Sequence, residues 1–241
     1  YVALSRMDAQ SRALDVVADN IANASTPGFK ASRSLFSNWL DVQDGIAATP
    51  GGRTVAFTQD RATYRDARQG PITRTGNPFD VAISGNGFFT VNTAQGPRLT
   101  RAGRFGLMPD GTLADADGNP VLDTQGQPIH LPPGDTRVTV TADGTVSAES
   151  GPVGKIGVVQ PADPNQMQAE GGRRLRADTP TQPVATPGLV QGAVEDSNVQ
   201  PIVEVTRMMT LLREFQFTSQ LIQGESDRQQ KAVDTLLKQN G

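Results

Sequence analysis

Apolar and small residues at Leu4, Met7, Ser11, Leu14, Ala18 and Ile21 alternate steps of three and four, with Arg6, Asp8, Gln10, Arg12 and Asp15 between them. That spacing predicts an amphipathic helix with one narrow stripe. Asn23 suits its C-terminal end, and Ser25-Thr26-Pro27-Gly28 stops it: proline cannot continue a helix and glycine accepts positive φ. The helix is expected to end near residue 23. A second run of the same kind closes the chain, where Val205, Met208, Leu212, Phe215, Ser219, Ile222, Ser226, Gln229, Val233 and Leu236 keep the three-four step. Asp196-Ser197-Asn198 offers N-cap side chains, and Pro201 suits a first turn whose N–H has no helical partner anyway. About 38 residues at about 1.5 Å each make a helix about 57 Å long, well beyond the ordinary globular length. Such a helix needs a partner along its length. Two narrow seams of roughly 3.5-residue period, one near each end of the chain, are what a coiled coil requires.

Between the helices the pattern changes to short alternating runs and tight turns. Phe79-Asp80-Val81-Ala82-Ile83 and Phe88-Phe89-Thr90-Val91 flank Ser84-Gly85-Asn86-Gly87, and Asn-Gly between alternating apolar runs predicts a hairpin. Asp110-Gly111, Asp117-Gly118 and Asp143-Gly144 mark further turns, the last between Val138-Thr139-Val140 and Thr145-Val146-Ser147, and Ile156-Gly157-Val158-Val159 adds a strand. The expected organisation is an N-terminal helix in 1–29, an extended connector in 30–74, and an all-β core in 75–164. Completion of the β domain and a return connector follow in 165–195, and a C-terminal helix in 196–241. The expected class is α+β, with long N- and C-terminal helices pairing as a coiled coil, a central all-β domain and extended connectors.

Composition narrows the chemistry. The 241 residues include no cysteine and a single histidine, His130. Disulfides, thiolate metal sites, cysteine nucleophiles and histidine-rich metal sites are thereby excluded, and no cofactor is expected. A net charge of -3, with both signs spread along the chain, supplies no basic block for a run of phosphates, so nucleic acid is not an expected partner. No stretch approaches the roughly 20 apolar residues of a membrane helix, and the first residues do not form a basic-then-apolar signal peptide, so neither membrane insertion nor a cleaved leader is expected. The 25 glycines and 17 prolines argue against an all-helical protein. Asp115-Ala116-Asp117-Gly118-Asn119 fails the ligand spacing of an EF-hand and reads as a turn. Gly85-Asn86-Gly87 lies between strands rather than before a helix, unlike a dinucleotide-binding loop.

The stretch Asn20-Ile21-Ala22-Asn23-Ala24-Ser25-Thr26-Pro27-Gly28-Phe29-Lys30 resembles the N-terminal signature of the bacterial flagellar axial proteins, the rod, hook and hook-associated family. Asp19 stands where many members carry an asparagine. Gly76-Asn77-Pro78-Phe79-Asp80-Val81-Ala82-Ile83-Ser84-Gly85-Asn86-Gly87-Phe88-Phe89 resembles the block that opens the β domain of that family, and Leu99-Thr100-Arg101-Ala102-Gly103-Arg104-Phe105 its next segment. Gly192-Ala193-Val194-Glu195-Asp196-Ser197-Asn198-Val199 resembles the lead-in to its C-terminal helix. Four blocks in the right order cover both ends and the middle. Within the family, the length near 240 residues and Pro152-Val153-Gly154-Lys155-Ile156 are most similar to proximal-rod members, with a distal-rod or hook-type subunit as the alternative.

The resemblance implies a non-enzymatic subunit of a hollow helical shaft in the basal body. That shaft crosses the periplasmic space, and its subunits are exported through the flagellar type III system. Its partners would be other rod proteins, copies of itself and the export apparatus. The expected subunit interface is Leu4, Met7, Leu14 and Ile21 with Val205, Met208, Leu212, Phe215 and Ile222, and Asn20 and Asn23 are expected to tie the helix end to a neighbouring chain through their amides. Two other classes are weighed against this. A secreted adhesin-like fibre on a coiled-coil stalk would place its helical seam in one contiguous stretch. A sugar-acting enzyme would rest on acid pairs such as Asp115 and Asp117.

Overall fold

The computed structural model describes residues 2–43, 53–135, 137–163, 166–171 and 173–239, with the backbone alone at 2–4, 35–43, 53–62, 233 and 236–239. The class is α+β, and the chain divides into two compact units: Tyr1–Ala22, Ser32–Tyr64 and Gln200–Gly241 form the first, Asn23–Ala31 and Arg65–Val199 the second.

The first unit holds helix α1 (Val2–Ala22), strands β1 (Ser32–Gln43) and β2 (Arg53–Arg65) paired as a two-stranded sheet, and helix α2 (Pro201–Gln239). Both helices form where the three-four periodicity places them, and α2 starts at Pro201. They pack along each other in antiparallel sense. Asn20 near the end of α1 meets Glu204 in the first turn of α2, and among the described side chains of α2 burial ends at Ile222, where α1 runs out. The buried face of α1 consists of Ala9, Gln10, Ala13, Val17 and Asn20. On α2 the inward row is Glu204, Met208, Leu211, Phe215, Thr218 and Ile222. Small residues on one helix thus receive large ones from the other, which lets the axes approach closely.

The second unit is β throughout. Strands β3 (Ile72–Arg74), β4 (Val81–Ile83), β5 (Phe88–Thr93), β6 (Gly96–Thr100), β7 (Phe105–Leu107), β8 (Leu113–Asp115), β9 (Thr139–Val140), β10 (Thr145–Ala148) and β11 (Gly151–Lys155) are followed by six more. These are β12 (Val158–Pro161), β13 (Met167–Glu170), β14 (Arg174–Ala177), β15 (Thr181–Pro183), β16 (Leu189–Gln191) and β17 (Ala193–Glu195). The largest sheet has the order β13-β14-β6-β5-β12-β15, and smaller ladders join β11-β10-β9, β16-β4, β17-β3 and β7-β8. The core gathers Val81, Ile83, Phe89, Val91, Phe105, Val146, Ile156 and Val158, with Phe89 and Phe105 edge to face at 5.1 Å.

Two sequence expectations change here. The hairpin across Asn86-Gly87 does not form: β4 pairs with β16, from more than a hundred residues later, while β5 pairs with β6 and β12. Gly85 and Gly87, at φ of 119° and 124°, carry the chain from one ladder to another instead of folding it back. The N-cap role given to Asp196, Ser197 and Asn198 is also displaced. Asp196 accepts from the Thr73 hydroxyl, the Ser197 hydroxyl from the Val199 N–H, and Asn198 is engaged within the β unit.

One regularity escaped the sequence reading. Leu113-Ala114-Asp115-Ala116-Asp117-Gly118-Asn119-Pro120 and Val121-Leu122-Asp123-Thr124-Gln125-Gly126-Gln127-Pro128 are two turns of an eight-residue repeat. In each, the aspartate at the third place accepts from the N–H groups two and four residues on, and the glycine at the sixth has φ of 80°. Buried Leu113, Val121 and Ile129 close a ring of main-chain hydrogen bonds, Val121 N–H to Leu113, Ile129 to Val121 and Leu113 to Ile129. Asp, Gly and Pro recurring every eight residues were the available signal. Asp115 is spent on its own turn, and Asp117 pairs with Arg173 and Arg174 at 2.7 and 3.3 Å, so the acid pair of the enzyme reading is committed to structure.

Candidate functional site

Two buried polar clusters and the outer surfaces of the terminal helices stand out, each within one unit. In the first unit, Asn20 is completely buried and uses both ends of its amide on the chain itself. Its Nδ2 donates to the Ser32 carbonyl at 2.9 Å, its Oδ1 accepts from the Ser32 N–H at 2.8 Å, and Nδ2 also lies 3.4 Å from Glu204 Oε2. The Asn20 amide is thus engaged by a backbone pair within its own unit, as a buried polar group must be. Asn23 also acts locally, its Oδ1 accepting from the Thr26 hydroxyl and its carbonyl from the Thr26 N–H. Glu204, buried in the first turn of α2, accepts from Arg33 at 2.6 Å, a charge placed favourably at a helix N-terminus.

In the second unit the four sequence blocks meet. Glu195, from the block before α2, accepts from Lys30 Nζ at 2.5 Å and from the Gly70 N–H at 3.0 Å, and faces Arg101 Nε at 3.2 Å. Lys30 belongs to the first block and Arg101 to the third, whose guanidinium donates to the carbonyl of Gly85 in the second block and lies over the Phe88 ring. All three charged side chains are buried. Burial holds the Lys30 ammonium and the Arg101 guanidinium below their ordinary values, against the pull of Glu195. Beside this cluster Asn198 accepts from the Ala31 N–H and donates to the carbonyls of Asp66 and Arg68. Gly28, at φ of 75°, lies so close to the third block that a Cβ there would sit 2.3 Å from the Ala102 nitrogen. Sequence reasoning missed Lys30, Arg101, Glu195, Asn198 and Glu204. The signal for Arg101 and Glu195 was a charge set among apolar or small neighbours, as in Leu99-Thr100-Arg101-Ala102 and Ala193-Val194-Glu195.

The expected interface residues divide into two groups. Met208, Phe215 and Ile222 belong to the row that faces α1, and all three are half-buried. Val205 and Leu212 are exposed, together with Ile202, Val203, Met209, Phe217 and Leu221 of the same helix. On α1, Met7, Leu14 and Ile21 are half-buried at the flank of the inward face, and Ser11 and Ala18 are exposed. The side chains of Leu4, Val233 and Leu236 lie outside the described residues. Gln10 is buried with neither its amide oxygen nor its nitrogen hydrogen-bonded, which costs about 1–3 kcal/mol and weakens the helix pair of the single chain.

A β unit flanked in sequence by two mutually packed helices, with large apolar side chains turned outward along the longer one, defines a subunit made for assembly. Comparison with known proteins gives the class its family. Residues 1–30 match the flagella basal body rod protein family, 82–148 the flagellar hook protein FlgE/F/G D1 domain, and 190–235 the C-terminal domain of flagellar basal body rod FlgEFG proteins. The flagellar basal-body rod protein FlgF of Caulobacter vibrioides is 38% identical over all of this chain and 98% of its own length. FlgF of Mesorhizobium japonicum is 37% identical over 98% of this chain and 96% of its own length. The rod protein FlgG of Bacillus subtilis is 32% identical over 97% of each chain. This chain belongs to the flagellar basal-body rod protein family, as the four blocks of its sequence imply.

Proposed function

We propose that this chain is a structural subunit of the bacterial flagellar basal-body rod, of the FlgF or proximal-rod kind, that assembles with other rod proteins and with copies of itself into a hollow drive shaft. The observation that carries the reading is the row of large apolar side chains left exposed on α2, in a chain whose full length is similar to rod proteins. A helix with so much apolar surface in water is marginal by itself and gains order from neighbours. In the shaft the terminal helices pair as a coiled coil around the export channel, and stiffness comes from many axial helix contacts that each contribute about 1.5–3 kcal/mol. Repeating one contact head to tail extends the array without closing it. The chain travels through the flagellar export apparatus and performs no chemical step. Similarity to FlgG favours a distal-rod subunit as the second reading.

The test is Leu212→Asp in a flagellated host that lacks its own copy. Leu212 is exposed, so the monomer should melt as the wild type does while rod incorporation and swimming are lost. Normal motility in that strain would falsify the assembly role of this helix. Amide exchange on the purified monomer should show protection concentrated in residues 75–195, with faster exchange in both terminal helices.

A further inference from the structure

The helix pair of the first unit has two apolar sides. Each residue advances about 100° around a helix. Relative to the face that meets α2, the Met7, Leu14 and Ile21 row of α1 lies about a quarter-turn away. Val205 and Leu212 lie about a quarter-turn from the α1-facing row of α2 in the same angular sense. Because the helices are antiparallel, equal angular senses bring both rows out on one side of the pair, where they form a continuous apolar strip. Val203, Phe217 and Leu221 lie in the opposite angular sense on α2 and emerge on the other side, Phe217 with 69% of its surface in solvent.

Two unlike apolar sides facing opposite ways suit a head-to-tail contact between copies rather than a two-fold one. The shapes fit as well. Ser11, Leu14, Asp15 and Ala18 of α1 stand at i, i+3, i+4 and i+7, the four positions that frame a hole for a knob from another helix. Small, exposed Ser11 and Ala18 leave that hole open. Phe217 is the largest exposed knob on α2, and Arg213 stands one turn before it on the same face. Asp15 and Arg213 are both exposed, and among the described residues neither has an ion-pair partner.

We infer that Phe217 of one copy seats in the Ser11–Leu14–Asp15–Ala18 hole of a second copy of this chain, with Arg213 pairing to Asp15 of that copy, and that this contact sets the direction in which subunits add. The inference rests on the assembly reading above and specifies its lateral interface. It places α2 among three helices, its own α1 on one face and neighbouring copies on the two flanks.

Charge reversal tests the pairing, since both partners come from the same gene. Asp15→Arg and Arg213→Asp, each on an exposed residue, should each lower rod incorporation about tenfold. The double variant should restore it to about the wild-type level. The absence of cysteine from the chain makes crosslinking direct. With Ala18→Cys and Phe217→Cys in one chain, assembled rods should give an oxidised ladder of multimers, and neither single variant should crosslink to itself. The inference is overturned if the single reversals assemble normally, if the double variant stays defective, if either single cysteine forms a dimer with itself, or if Ala18→Cys crosslinks only to a different rod protein. Loss of incorporation in Leu212→Asp alongside harmless reversals would sink this contact and leave the assembly reading standing. Normal incorporation in all of these variants would sink both.

Discussion

Glu195→Gln keeps the shape of a buried side chain and removes its charge. The carboxylate has no solvent exposure and holds Lys30 Nζ at 2.5 Å and Arg101 Nε at 3.2 Å, so the variant leaves two buried cations without their nearest anion. Breaking a buried pair in this way costs about 3–5 kcal/mol. At roughly 3–4 °C per kcal/mol for a unit of this size, the β unit should melt about 9–20 °C lower. Differential scanning calorimetry of the full chain measures the shift. Segment-resolved amide exchange should show the loss first where the four blocks converge, around Lys30, Gly70, Arg101 and Glu195. Adding Lys30→Met removes one stranded cation and should recover about half of the loss, because the two positions share one interaction. A Glu195→Gln protein that melts within about 1 kcal/mol of the wild type, or a double variant no better than the single, would refute the buried-pair reasoning.

Three further outcomes follow from the geometry. The Thr141 and Thr145 hydroxyls hold the Asp143 carboxyl well below the usual carboxylate range, and the Arg98 hydrogen bond lowers that of Glu170. Both carboxylates bind protons more weakly in the folded than in the unfolded chain. Their stabilisation is complete above the ordinary carboxylate values of about 4 and fades as pH falls below them, so calorimetry from pH 7 to 3 should show the β unit losing stability only at the acid end. Gln10→Leu removes two unbonded buried polar atoms and should raise the stability of the helix pair by about 1–2 kcal/mol, seen as slower amide exchange along α1; unchanged exchange would show that the amide is solvated in solution. Gly28→Ala meets both a positive φ and the Ala102 backbone. It should cost at least about 2 kcal/mol in calorimetry, whereas an alanine at Gly76, which also has positive φ but no atom within 4 Å, should cost less.

Structure set by neighbours a few residues apart is already written in the order of the amino acids. The three-four spacing placed α1 and α2, Pro27 and Gly28 stopped the first, Pro201 opened the second, and Asp143-Gly144 turned β9 into β10. The family was legible too, because its signatures are local strings. The tertiary structure decided which of two faces a helix buries: α1 turns Ala9, Ala13 and Val17 inward and leaves its larger Met7, Leu14 and Ile21 to the flank. Periodicity shows that a stripe exists but not how close the partner helix must come, and close approach favours small residues. In the same way Asn86-Gly87 can make a hairpin only if its two strands find no better partners, and β16 supplied one. The buried cluster was legible only as isolated charges, since Lys30 and Glu195 stand 165 residues apart in the chain. Such a pairing is chosen by which charges the fold removes from water together, a property of the packed unit and of no segment within it.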